Sequence, residues 1–250
     1  MQPLLDLLSS FDPSNPNFRH TEIYNESWLV KLVVHQASKM EGRDFPLRFL
    51  PGSRWFSESL LSTTFKARYR GDALAESRTN ADCVIGHFLI GEEGKADFQL
   101  IDEPAQFTVI EAKIGSPLSK GTGNAPYYDQ AARTVACMAE TLSQVEVDPS
   151  EIERLELIVL APDKSITKGT FSDYMTKESL RAKVERRVSE YESDYRSKLD
   201  IWLGDYFFPI LDHIELHVLS WEDAISWIRQ EKPRTAEDLS AFYDQCLQFN

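Results

Sequence analysis

Apolar and polar positions in this chain recur with two periods, and each change of period marks an element. After the turn-rich segment FDPSNPNFRH, residues Ile23, Val30, Val33 and Val34 fall at helical spacing. They predict a first helix beginning near Thr21, with that threonine as N-cap. Pro46, Pro51 and Gly52 break any helix, and SRWFSESLLSTTF reads as irregular with room for a short helix. From Ala81 the pattern becomes β-like: DCVIGHFLIG is one strand, EEGKAD a turn, FQLIDE a second strand and QFTVIEAKIG a third. The loop SPLSKGTGNAP follows. Pro126, with Asn124 as cap, opens a helix that reaches about Leu142 and carries Ala131, Ala132, Val135, Ala136, Met138 and Ala139. The apolar run LELIVLAP predicts a strand covered on both faces. A long charged helix from about Thr176 to Leu203 comes next. IELHVLSW is the last strand, Ser220 begins a helix, and a final helix runs from about Thr235. Strands and helices alternate throughout, so the expectation is one α/β domain over residues 1–250, with a mixed central β-sheet flanked by helices.

Composition narrows the class. In 250 residues, 42% are hydrophobic and 27% charged, enough for a sizeable core without covalent staples. The 27 Lys and Arg against 40 Asp and Glu give a net charge of -13, which excludes a broadly basic nucleic-acid coat protein and disfavours anionic membranes. An enzyme that grips nucleic acid in one local groove is still compatible with it. Cys83, Cys137 and Cys246 form no CxxC pair, as expected of reduced thiols in a cytoplasmic protein. The N-terminus lacks a basic region of the signal-peptide kind, and no stretch of about 18 apolar residues is present.

The candidate chemistry centres on Asp82 and on Glu111-Ala112-Lys113, with 28 residues between Asp82 and Glu111. Glu111 and Lys113 are two apart on a strand, so their side chains leave the same face, and charges on such a face need partners. Asp82 opens the earlier strand, and a hairpin would set the two carboxylates side by side. Two carboxylates and a backbone carbonyl suit Mg²⁺ or Mn²⁺. A lysine beside them can orient or help deprotonate an attacking water. The alternative is a structural Glu–Lys pair on an edge strand, since [D/E]-x-K strings are common. Glu26 sits toward the apolar face of the first helix, with Glu22 one turn earlier as the competing carboxylate. Gln130, with Arg133 one turn later, flanks the Ala-rich helix.

The ordered set Glu26, Asp82, Glu111-Ala112-Lys113 and Gln130 resembles the PD-(D/E)XK nuclease superfamily. The likeness is carried mainly by NADCVIGHF and TVIEAKIGSPLS. Its motifs span about residues 20–142, and residues 155–230 agree only in element order, within additional strands and helices over 150–250. The sequence departs from the family pattern at Ala81, where a proline usually precedes the Asp, and at Thr134, where one branch carries tyrosine after Q-x-x-x. The resemblance implies a restriction-endonuclease-like core and Mg²⁺- or Mn²⁺-dependent hydrolysis of phosphodiester bonds, with DNA ahead of RNA as substrate. It implies Asp82 and Glu111 as metal ligands, Glu26 as a second-site or water-mediated ligand, and Lys113 as the residue that positions the nucleophilic water. Gln130 would touch the water, the lysine or the scissile phosphate. Glu76 is a weaker acidic candidate, and Lys120 reads as a solvated loop lysine.

Other chemistries are poorly supported. His213 and His217 flank a strand, where a spacing of four is not one-face pairing, and His87 reads as a core or edge histidine. No G-x-x-x-x-G-K-[ST] loop is present. Trp28, Trp55, Trp202, Trp221 and Trp227 fall at core-like positions. Arg43, Arg48, Arg54, Lys66, Arg68 and Arg70 give residues 43–70 a basic bias, which predicts that this region helps form the groove. A protein partner supplying the grip, or a homodimer cutting two strands, is the other route. The alternative function is a catalytically inactive nuclease-fold protein serving as a binding or scaffolding subunit of a larger complex.

Overall fold

A computed structural model describes residues 19–40, 44–76, 79–91, 98–121 and 124–250. Its centre is a five-stranded sheet built from β1 (Arg54–Leu61), β2 (Thr79–Gly86), β5 (Gln106–Ala112), β6 (Arg154–Ala161) and β7 (Glu215–Ser220), in that spatial order. β1–β2 and β2–β5 are antiparallel, while β5–β6 and β6–β7 are parallel, so the sheet is mixed. β3 (Phe88–Ile90) and β4 (Phe98–Leu100) form a separate two-stranded ribbon between β2 and β5.

Period-two alternation sorts the sheet's side chains into two cores. Val84, Phe107, Val109, Leu157 and Val159 face α2 (Gln130–Ser143), α4 (Lys177–Ser189), α5 (Ser193–Trp202) and α6 (Phe208–His213). Cys83, Ile85, Ile110, Ile158 and Leu160 face α1 (Glu26–Ala37), α7 (Trp221–Arg229) and α8 (Pro233–Phe249). The short α3 (Asp163–Thr167) follows β6. β5 is buried along its whole length, as the continuous apolar pattern of a strand covered on both faces requires. No helix among the described residues is long and apolar enough to cross a membrane.

Several sequence expectations are corrected. α1 starts at Glu26 because the Asn25 side chain accepts the Trp28 N–H at 2.9 Å, and Thr21 lies in a 3-10 turn, His20–Glu22. The SRWFSESLL segment is not irregular. It is edge strand β1, and its partly exposed faces blur the alternation. DCVIGHFLIG splits after Gly86, where a Cβ would meet the Gln106 carbonyl oxygen at 2.1 Å. The helix expected from Pro126 begins at Gln130. Asp129, not Asn124, caps it by accepting the Ala132 N–H at 3.2 Å. The long charged helix breaks between α4 and α5 because Tyr191 turns inward, its ring 5.7 Å from that of Phe65. Trp28 is 46% exposed rather than packed. The EEGKAD turn and Arg43 lie outside the described residues.

Candidate active site

Three elements distant in sequence bring the candidate residues to one end of the sheet. The β2–β5 register pairs Cys83 with Ile110, so Asp82 and Glu111 come next to one another at the end of the ladder. The strands are neighbours without being a simple hairpin, since the β3–β4 ribbon intervenes. Asp82 lies within β2 rather than at its start. Its Oδ2 accepts the Ala112 N–H at 2.7 Å and lies 3.9 Å from Lys113 Nζ. Lys113 is fixed through its backbone, with its N–H donating to the Leu160 carbonyl at 2.8 Å and its carbonyl accepting from Trp221 Nε1 at 2.9 Å. Glu26, in the first turn of α1, reaches across so that its Oε2 accepts the Ile114 N–H at 3.1 Å. Glu22, the competing carboxylate, belongs to the preceding 3-10 turn.

Glu111 is fully buried. Thr134 Oγ1 donates to its Oε1 at 2.8 Å, and Gln130 Nε2 donates to its Oε2. The other end of the Gln130 amide is occupied too, since its oxygen accepts the Ser119 N–H at 3.1 Å. In this arrangement Gln130 orients Glu111, whereas the resemblance gave it the water, the lysine or the phosphate to touch. Thr134 is a site residue that pattern matching passes over. Its position four residues after Gln130 puts both on one helix face, and that is the signal by which it could have been found.

Glu58 was also missed. It stands between Ser57 and Ser59, which pair with Cys83 and Ala81, so it lies opposite Asp82. Its backbone φ is 57°, uncommon for a non-glycine residue. Its carboxylate accepts from Ser27 Oγ and from Asn80 Nδ2 at 2.8 Å, and Lys31 Nζ is 3.6 Å away. No apolar–polar alternation in WFSESLL singles it out.

Electrostatics follow from this crowding. Burial pushes the Glu111 carboxyl up to about 8, the charge on Asp82 adds to the rise, and Lys113 opposes it. Burial also raises Asp82, against the pull of Lys113 and the Ala112 N–H, and Glu58 adds to the rise. Glu26 is raised chiefly by burial. The folded chain therefore keeps a proton on Glu111 in the range between 4.5 and about 8, where the unfolded chain has released it. That contribution to stability is complete below the unfolded value and is lost as pH rises through the folded one. In chelator, stability is expected to fall between pH 5 and 8, at up to about 1.4 kcal/mol per pH unit, and Tm with it. Each kcal/mol corresponds to roughly 2–4 °C in a chain of this size. Glu111→Gln should flatten that slope in a thermal melt series. An unchanged slope in the variant would show that Glu111 does not hold the proton.

Asp82, Glu111 and Glu26 offer carboxylate oxygens, the ligand type that suits a hard dication, and Lys113 lies beside Asp82.

Other candidates lie elsewhere. Glu76 is a buried partner of Arg187, at 3.0 Å, and not part of this group. The basic bias of residues 43–70 does not converge on the site. Arg48 is 3.6 Å from Glu153 and its carbonyl accepts from Gln106, at the opposite end of β5 from Glu111. Arg54 pairs with Gly86, the last residue of β2 and four beyond Asp82. Lys66 is 3.3 Å from Glu140, and Arg68 is bound to Asp72. His87 accepts the Gln106 N–H at 3.2 Å beside the ribbon. His213 ends α6 while His217 lies within β7. His217 instead groups with Glu156 and Glu215, whose ligand atoms lie within 4.8 Å of one another and could hold a metal. Arg154 already neutralises Glu156 there, and Thr108 Oγ1 donates to it at 2.7 Å.

Comparison of the chain with protein-family models, with curated proteins and with solved structures found no match.

Proposed function

We propose that this protein is a Mg²⁺- or Mn²⁺-dependent nuclease with a restriction-endonuclease-like core. The observation that carries the reading is the convergence of Asp82 from β2, Glu111 from β5, Lys113 just past the end of β5, and Glu26 from α1 at one end of the sheet. Asp82 and Glu111 would hold the ion, with Glu26 as a further ligand. When bound, the ion supplies Lewis-acid stabilisation of the charge on the phosphate.

The chain's own residues have separable tasks. The Lys113 ammonium, beside Asp82, positions the attacking water and offsets negative charge developing on the phosphate. Thr134 and Gln130 hold the Glu111 carboxylate in a fixed direction, which is the kind of orienting contact that ligand carboxylates require. Trp221 and the Leu160 carbonyl hold the backbone of Lys113, so the ammonium stands on a rigid strand end.

The scaffold alternative is less well supported. Gathering several carboxyls where burial raises their proton affinity costs stability, and a purely structural role gives no return for that cost. The test is cleavage of labelled single- and double-stranded DNA and RNA with Mg²⁺ or Mn²⁺. Cutting that needs metal and disappears in Asp82→Asn is the expected result. Cutting that survives in the variant would overturn the assignment.

A further inference from the structure

A groove of about 630 Å³ opens beside the carboxylate site, lined by Lys120, Tyr127, Asp129, Tyr174, Lys183 and Arg186 among others. Its volume is in the range of ligand-holding clefts. Two of its lining residues adjoin, in sequence, residues that support the site. Asp129, on its wall, immediately precedes Gln130, whose amide holds Glu111. Lys120, on the same wall, immediately follows Ser119, whose N–H donates to that same Gln130 and whose carbonyl accepts the Gln130 N–H at 2.9 Å.

The side chains on this wall are of two kinds. The Arg186 guanidinium lies 3.7 Å from the centroid of the Tyr127 ring, and that ring is held because its hydroxyl donates to Glu190. The other face of an exposed, planar guanidinium is thereby left toward solvent. Tyr174 is half-buried, with Lys183 Nζ 5.1 Å from its ring centroid. Lys183 is committed to Asp129 at 2.6 Å. Among the described residues, no carboxylate lies within ion-pair distance of Lys120 or Arg186. Three cations against Asp129 and Asp173 make the groove net positive, in a chain whose overall charge is -13.

We infer that this groove binds unpaired nucleotides of a single-stranded nucleic acid running from the carboxylate site. The inference rests on the nuclease reading for its direction, and it names the substrate class. Flat side chains presented to solvent bind by stacking, and a base offers its face only when its own stack is broken. Duplex recognition through phosphates alone needs a wide basic strip, and within residues 43–70 Arg48, Lys66 and Arg68 are ion-paired while Arg54 sits at the Gly86 end of β2. Bases stack on the Arg186–Tyr127 platform and against Tyr174, while Lys120 meets the backbone.

The test is fluorescence anisotropy of the full chain in chelator, with labelled oligothymidylate, oligouridylate and a blunt DNA duplex of equal length. Wild type is expected to bind single strands at least tenfold more tightly than the duplex. Arg186→Ala and Tyr174→Ala should each weaken single-strand binding about tenfold. The deoxy and ribo arms identify the sugar. Lys120→Ala, in an exposed loop position, should reduce the salt dependence of binding without disturbing the fold. Equal affinity for duplex and single strand, variants that bind like wild type, or no single-strand binding at all would each overturn the inference. The nuclease reading fails separately. A protein that cuts, loses cutting in Asp82→Asn and ignores the groove substitutions sinks the groove alone. One that binds single strands through Arg186 but never cuts sinks the nuclease reading and keeps the groove.

Discussion

Lys113→Ala is expected to lower metal-dependent cleavage by about 10²–10⁴-fold, the range seen when a positioned proton-transfer or charge-stabilising group is removed. The fold should be unaffected, because Lys113 is anchored by its backbone. Its N–H donates to Leu160 and its carbonyl accepts from Trp221, and both contacts survive truncation of the side chain. The ammonium is a neighbour of Asp82 at 3.9 Å and not a competitor for its ligand role, so binding of Mn²⁺ should persist. Single-turnover cleavage of a labelled substrate, read beside a metal titration of the same variant, separates the two effects. Cleavage within a fewfold of wild type would remove Lys113 from the chemistry.

Arg187→Ala is expected to cost about 3–5 kcal/mol, the consequence of leaving one half of a buried ion pair behind. The Arg187 side chain is 1% exposed. Its Nε lies 3.0 Å from Glu76, its Nη1 2.6 Å from Glu190, and its Nη2 donates to the Leu74 carbonyl at 2.6 Å. Its guanidinium also lies over the rings of Phe65, Tyr128 and Tyr191. Without it, Glu76 is left in a site where burial already raises its carboxyl. A loss of roughly 6–20 °C in Tm should follow. Replacing both partners, as Glu76→Gln with Arg187→Met, should recover much of that loss, because no uncompensated charge is then buried. A calorimetric melt of wild type and both variants checks this. Equal losses for the single and double variants would mean that packing against the rings, and not the charge, dominates.

The parts of the fold that were legible are those where one physical requirement controls the pattern. β6 is covered on both faces, and its run LELIVLA is apolar at nearly every position. β5 reads as a strand up to the point where Glu111 and Lys113 break the apolar pattern with charge. Those charges are what made the site visible, because a charged pair on one face of a buried strand demands partners. β1 was not legible because it is an edge strand. Glu58 and its flanking serines satisfy exposed and buried surroundings at once, so neither period dominates. Helix starts were displaced because Asn25 and Asp129, which the apolar spacing does not mark, make the capping hydrogen bonds in place of Thr21 and Asn124. The supports of the site were invisible for the same reason. Ser119 and Trp221 act from distant positions, and Trp221 lies 108 residues from the carbonyl it holds. The expected basic groove failed because a local excess of arginine says nothing about where each guanidinium finds its carboxylate.

The proposed function requires the end of the sheet bearing Asp82 and Glu111 to be a divalent-cation site. Calorimetric titration of Mn²⁺ into wild type and Asp82→Asn tests it most directly. The asparagine keeps an oxygen to accept the Ala112 N–H, so the local fold is preserved while one ligand charge is removed. The predicted result is binding to wild type that is lost in Asp82→Asn. No binding to wild type, or binding that persists unchanged in the variant, would contradict the claim. The second outcome would point instead to Glu156, Glu215 and His217 at the other end of the sheet.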